Sequence, residues 1–222
     1  MSSSADRLAG MIFDLDGTLA DTLPVAFSTF RSVVAEFTDR RFADEELIAM
    51  FGPSEDGILR RLFPDHWERC FERFVGEYAE RHAGCSAPFR GIDVALDVLK
   101  RRGVRLAIVT GKAARTAAIT LERVGIADYF DAVETGSPEG GVKPRAMRKI
   151  LDAWRLSPRS VAYVGDAVSD IEAARAVGVV ALGAAWGGTM PAAELEKAGA
   201  DVVFTDVENF IRWLGAGDHS RI

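Results

Sequence analysis

The chain has 222 residues, 48% of them hydrophobic and 27% charged, with 27 basic against 33 acidic side chains for a formal charge of −6. That composition describes a soluble globular protein and excludes a collagenous chain, a long disordered tail and a disulfide scaffold. The excess of acid argues against general affinity for nucleic acid or an anionic membrane, which basic patches normally provide, so an anionic ligand needs a locally positive site. No apolar run approaches the ~20 residues that span a bilayer, and the first ten residues lack the apolar stretch of a secretory signal, so a cytoplasmic location is expected. Cys70 and Cys85 show no metal-type spacing and read as reduced packing residues.

In chain order, residues 11–15 (MIFDL) read as a buried strand. The alternation of strands and helices then breaks. Between about 21 and 88 apolar residues recur at helical spacing: Leu23, Phe27, Phe30, Val34 and Phe37, then Leu47, Ile48 and Phe51, then Ile58, Leu59 and Leu62, and finally Trp67, Phe71, Phe74, Val75 and Tyr78. Gly52-Pro53, Phe63-Pro64-Asp65 and residues 84–88 punctuate these four helices, which predicts a helical subdomain over 20–88 inserted into an α/β domain of 1–19 and 89–222.

The remainder returns to short strands at 104–109, 129–135, 161–164, 179–182 and 201–204. Helical segments between them stop at Gly103, Gly125, Gly178 and Gly199, because glycine accepts the left-handed conformation that ends a helix. The fold class expected is α/β: a Rossmann-like, mostly parallel sheet with helices on both faces, plus the inserted four-helix subdomain. Residues 215–222 read as a frayed tail.

The densest chemical signal is 14–22 (DLDGTLADT), directly after the first strand. Ligands of parallel α/β sheets bind beyond the carboxyl ends of strands, and alternation puts Asp14 and Asp16 on one side with Gly17 freeing the turn. Two adjacent carboxylates suit a hard cation such as Mg²⁺, or a nucleophile beside a general acid; alone, they equally suit a capping turn. Three further strand ends change that weighing. Thr110-Gly111-Lys112 follows residues 105–109 and opens a helix, Lys143-Pro144 opens another, and Asp166 and Asp170 (GDAVSD) follow the strand at 161–164. Each has an ordinary structural explanation, but the set is far more specific than any member.

These motifs, with VTGK at 109–112, GVKP at 141–144 and VGDAVSDIEAARAVGV at 164–179, resemble the haloacid dehalogenase-like hydrolase superfamily. The resemblance is to its phosphatase branch with a helical cap, phosphoglycolate phosphatase-like proteins above all, and it spans nearly the whole chain. It implies that Asp14 is a nucleophile forming an aspartyl-phosphate, and that Asp16 protonates the leaving oxygen and later activates water. It implies Mg²⁺ held by Asp14, the backbone carbonyl of Asp16, and Asp166, with Asp170 in support. Thr110, Gly111 and Lys143 would hold the phosphoryl group of a small phosphorylated metabolite, and Thr18 would position the first loop. Asp16 argues against dehalogenation, since dehalogenases of this family lack that acid.

Two features depart from the pattern or leave it open. Arg145-Ala146-Met147 stands where relatives often have another proline, and residues 136–141 (GSPEGG) are flexible by composition. The turn Phe51 to Glu55 and Arg60 and Arg61 are candidates for recognising the leaving group, although a helix-packing Phe51 and solvated arginines explain them as well. His66, His82 and His219 lie away from every predicted strand end, and Trp186 reads as a packed residue in a Gly-rich loop. The rival activities are a phosphomutase resembling β-phosphoglucomutase, which Thr18 in DGT weighs against, and a non-enzymatic phospho-acceptor or ligand-binding protein. Oligomeric state is not encoded in these motifs.

Overall fold

The computed structural model describes residues 8–216, and the statements below concern those residues. Six parallel strands form one sheet: β1 (Gly10–Phe13), β2 (Arg105–Val109), β3 (Ala132–Glu134), β4 (Val161–Gly165), β5 (Val180–Ala184) and β6 (Val202–Phe204), in the spatial order β3-β2-β1-β4-β5-β6. The chain builds outward from β1 to β3 on one side, then returns to lay β4 against the other edge of β1 and continues to β6. That reversal opens a crevice at the carboxyl ends of β1 and β4, where ligands of such sheets bind.

Side chains alternate across a strand, so each strand feeds two cores. Met11, Phe13, Leu106, Ile108, Ala162, Val164 and Leu182 point to one face and are covered by α5 (Ile92–Arg101), α6 (Ala114–Val124) and α10 (Val207–Ala216). Ile12, Ala107, Val109, Val161, Tyr163 and Ala181 point to the other, under α7 (Lys143–Trp154), α8 (Val168–Val177) and α9 (Ala192–Lys197). Gly125 and Gly178 end α6 and α8 in the left-handed conformation, as the sequence predicts, while Pro144 fits the first turn of α7, where a missing N–H costs nothing.

Between β1 and α5 lie α1 (Leu23–Phe37), α2 (Asp44–Ala49), α3 (Glu55–Leu62) and α4 (Trp67–Arg81). Phe30, Val33, Leu47, Leu59, Cys70, Phe74 and Tyr78 form a separate apolar cluster there, with the Phe30 and Phe74 rings 4.6 Å apart. Burying such side chains stabilises by about 1.5–3 kcal/mol each, which lets these helices hold together apart from the sheet. Cys70 and Cys85 are both free thiols. Among the described residues no helix is long and apolar enough to cross a membrane.

Two expectations need correction. The strand predicted over 129–135 is only Ala132–Glu134, because Ala127–Tyr129 closes a single 3₁₀ turn and Asp131 caps the strand entry through its carboxylate on the Leu106 N–H. Gly215 and Ala216, read as part of a frayed tail, belong to α10, where Leu214 is fully buried; residues 217–222, His219 included, lie outside the described residues.

Candidate active site

Asp14 is the first residue beyond β1, and its N–H still bonds the Val164 carbonyl at 2.9 Å, so the β1–β4 ladder fixes its backbone. Asp166 is the first residue beyond β4. Asp170, in the first turn of α8, folds back: one carboxylate oxygen accepts the Ala167 N–H at 3.1 Å and the other lies 2.9 Å from the Tyr163 hydroxyl. Close approach explains the two glycines of these motifs. A Cβ on Gly165 would lie 2.5 Å from the Asp170 side chain, and Gly17, at φ +74°, lies where a Cβ would stand 2.2 Å from Asp166 Oδ2.

Asp14, Asp166 and Asp170 are all buried and offer oxygens within 4.8 Å of one another. A single cation answers them: Lys143, at the first position of α7, places Nζ 3.0 Å from Asp14 Oδ2 and also pairs with Asp170. Three carboxylates against one ammonium leave excess negative charge in a dry site. Burial accordingly pushes the Asp14 carboxyl up to about 8, with Lys143 opposing and Asp170, Asp166 and Asp16 adding to the rise. Burial, with Asp170 next, raises Asp166 to about 7. Burial would depress the Lys143 ammonium, but Asp14 and Asp170 outweigh it and hold the group above its ordinary value. Asp14 Oδ1 is buried without a hydrogen-bond partner. An orphaned carboxylate oxygen in an all-oxygen donor set fits a hard divalent cation.

Asp16 turns the other way. Its carboxylate accepts the Thr22 hydroxyl and lies 3.2 Å from Lys112 Nζ, outside the cluster of three. Thr18 donates its hydroxyl to Asp166 Oδ1 at 3.0 Å, and its carbonyl accepts the Trp186 indole N–H at 2.9 Å, tying the first loop to β4. Thr110 is buried one strand over from Asp14, with its hydroxyl accepting the Lys112 N–H at 3.2 Å. Gly111 beside it has open space where a Cβ would stand. Lys143 therefore links Asp14 to Asp170, Thr18 holds Asp166, whose carboxylate lies within 4.8 Å of the other two, and Asp16 flanks them.

Sequence reasoning gave no role to Lys112, which is buried against Asp16, Glu55 and the Tyr78 ring, nor to Tyr163. Lys112 meets its partners only across the fold, whereas Tyr163 bonds Asp170 seven positions on and the Val109 carbonyl of β2. Of the turn at 51–55, only Ser54 and Glu55 are buried; Phe51, expected to pack within a helix, is 42% exposed, with its ring tilted at 39° to that of Phe27 at 5.7 Å. Arg60 lies over Trp67 and near Asp56, away from the acidic cluster.

Residues 136–141, flexible by composition, are instead a docking platform: Gly136 N–H bonds the Lys112 carbonyl and Ser137 accepts the Ser54 N–H at 2.9 Å. Gly136 serves there for close backbone approach, since a Cβ on it would stand 1.9 Å from the Gly111 carbonyl oxygen, while Gly140 and Gly141 take positive φ. His82 is buried at the junction of α4 and α6, bonded to Thr120.

A family model described as haloacid dehalogenase-like hydrolase matches residues 11–184. The chain is 34% identical over 208 residues to the phosphoglycolate phosphatase of Agrobacterium fabrum, covering 88% of this chain and 87% of that one. Among solved structures it is similar to a predicted phosphoglycolate phosphatase from Haemophilus somnus, with a TM-score of 0.76 at 22% identity over 94% of this chain and 99% of the other. It is also similar to CbbY of Rhodobacter sphaeroides, solved in complex with phosphate, with a TM-score of 0.76 at 20% identity over 89% and 93% of the two chains. At those identities the two structures speak for the fold.

Proposed function

The chain belongs to the haloacid dehalogenase-like hydrolase family, and on that premise we propose that it is a Mg²⁺-dependent phosphatase of a small phosphorylated metabolite, phosphoglycolate first among the candidates. The observation that carries this reading is the convergence of Asp14, Asp166, Asp170 and Lys143, with one buried Asp14 oxygen left without a hydrogen-bond partner. The name of the Agrobacterium relative supports the substrate. We divide the chain into a catalytic domain of 1–19 and 89–222 and a helical cap of 20–88.

In this reading Asp14 and Asp166, the Asp16 carbonyl, and Asp170 directly or through water hold the cation. When bound, Mg²⁺ supplies positive charge that offsets the repulsion between the carboxylates and a phosphoryl group. Lys143, Thr110 and the Gly111 N–H bind the phosphoryl oxygens, and Thr18 braces the loop that carries the acids. An Asp14 oxygen attacks phosphorus while the bond to the leaving oxygen breaks and Asp16 gives that oxygen its proton. Water then attacks phosphorus, its proton passes to Asp16, and the bond to Asp14 breaks to release inorganic phosphate. Burial of Asp14 and partial burial of Lys143 limit the screening of these charges by bulk water.

The test is phosphate release from a panel of phosphorylated metabolites, with and without Mg²⁺, by wild type and Asp14→Asn. Mg²⁺-dependent release by wild type that Asp14→Asn abolishes bears the reading out. Isomerised sugar phosphate without net phosphate release moves it to the mutase, and no turnover of any compound removes it.

A further inference from the structure

Glu55, the first residue of α3, belongs to the inserted helices but makes its polar contacts at the start of α6. It is 6% exposed. Its Oε2 accepts the Ala113 N–H, while its Oε1 accepts the Thr116 hydroxyl at 2.8 Å and lies 3.3 Å from Lys112 Nζ. Ala113 stands in the N-cap position of α6 and has no side-chain oxygen to cap it, so the carboxylate takes that place and meets the positive end of the helix. The cap of α6 thus comes from a side chain 58 positions away.

The residues just before that cap are the phosphoryl ligands of the proposed mechanism. Thr110 keeps its N–H on the Glu134 carbonyl at 3.0 Å, and its hydroxyl accepts the Lys112 N–H. Residues 110–113 therefore run from an end fixed by the sheet to an end held by Glu55. The segment that leads to Lys143 is gripped at the same place: Gly136 N–H bonds the Lys112 carbonyl at 2.6 Å, and the N–H of Ser54, the residue before α3, bonds the Ser137 carbonyl. One helix start holds both segments that present Thr110, Gly111 and Lys143.

We propose that Glu55 is a positioning residue for phosphoryl binding: by capping α6 it fixes residues 110–113, so that the seating of α3 sets the Thr110 hydroxyl and the Gly111 N–H for the incoming phosphoryl oxygens. The inference rests on the reading of Thr110, Gly111 and Lys143 as phosphoryl ligands. Charge alone gives the opposite expectation. Glu55 is a buried anion beside that segment and occupies Lys112, so its neutralisation would tighten phosphate binding if the order of residues 110–113 did not matter.

The sign of the effect in Glu55→Gln tests it, with inorganic phosphate as the probe in calorimetric titrations containing Mg²⁺. The amide keeps the shape but turns one acceptor into a donor that faces the Ala113, Thr116 and Lys112 donors. Kd does not depend on how much of the protein is folded, which the stoichiometry reports. It is expected to rise about fivefold or more in the variant, the factor that a lost helix cap corresponds to. Amide hydrogen exchange without ligand is expected to quicken at Lys112 and Ala117, whose N–H groups bond Thr110 and Ala113 rather than Glu55, with α10 as the unaltered reference. A Kd that is unchanged or lower in the variant overturns the proposal. Unaltered exchange at Lys112 and Ala117 overturns it as well, even if wild type binds no phosphate, which is the separate outcome that removes the reading of Thr110, Gly111 and Lys143.

Discussion

The backbone of Gly57 in α3 lies so close to Pro138 that a Cβ on Gly57 would stand 2.4 Å from the Pro138 carbonyl oxygen. The contact joins cap to sheet domain through backbone on the Pro138 side, which cannot rotate away. Gly57→Ala sets two effects against each other. Helix propensity favours alanine by about 1 kcal/mol inside α3, while the added methyl pushes α3 off its platform. Phosphate release is expected to fall several-fold with no matching drop in thermal midpoint. Unchanged activity would show that the seating of α3 is unimportant.

The crowding of Asp14, Asp166 and Asp170 makes a prediction about stability without turnover. Asp166→Asn removes one of the mutually repelling buried charges, so the metal-free variant is expected to melt higher than metal-free wild type. Saturating Mg²⁺ is expected to stabilise wild type by about 2.7 kcal/mol at a hundredfold excess over Kd, and the variant by much less. Thermal denaturation with EDTA and with Mg²⁺ measures both, and an equal Mg²⁺ shift in the two proteins would count against Asp166 as a ligand.

His82 sets a pH dependence at the cap junction. Burial lowers its pKa below the ordinary 6.5, with Lys112 also disfavouring the cation, and its Nδ1 is buried without a partner. Below 6.5 the unfolded chain takes up a proton that the folded one resists, so stability is full above that pH and declines as pH falls toward the lowered folded value. His82→Phe is expected to flatten the decline between pH 6.5 and 5 in urea titrations; an unaltered slope would place its origin elsewhere.

Arg155 ends α7 at φ 55°, the only non-glycine with positive φ among the described residues. Its side chain is exposed. Left-handed strain of about 1–2 kcal/mol for an L-residue exceeds the about 0.5–1 kcal/mol that glycine loses in backbone entropy, so Arg155→Gly is expected to stabilise by up to about 1 kcal/mol. Chemical denaturation checks it, with activity unchanged because the residue is far along the helix from Lys143.

Much of this molecule is written locally. Short continuous apolar runs in MIF and VAYV, buried on both faces, glycines past helix ends and proline at the start of α7 are properties of adjacent residues, and a single sequence displays them. Asp14, Asp166, Asp170 and Lys143 were legible for the same reason, since each follows a strand or opens a helix and parallel sheets gather such positions at one edge.

The sequence by itself determined the α/β alternation, the inserted helices and the acids at the strand ends, because those depend on periodicity and on the conformations single residues allow. Tertiary structure alone decided that Asp16 faces Lys112 rather than the cluster of Asp14, Asp166 and Asp170, that Glu55 of α3 caps α6, and that a Gly-rich segment serves as a platform. Lys112 and Glu55 are 57 positions apart in the numbering and make one buried ion pair. Such pairing is set by how two packed units close on each other, and the Coulomb interaction that gives it meaning acts through space rather than along the chain.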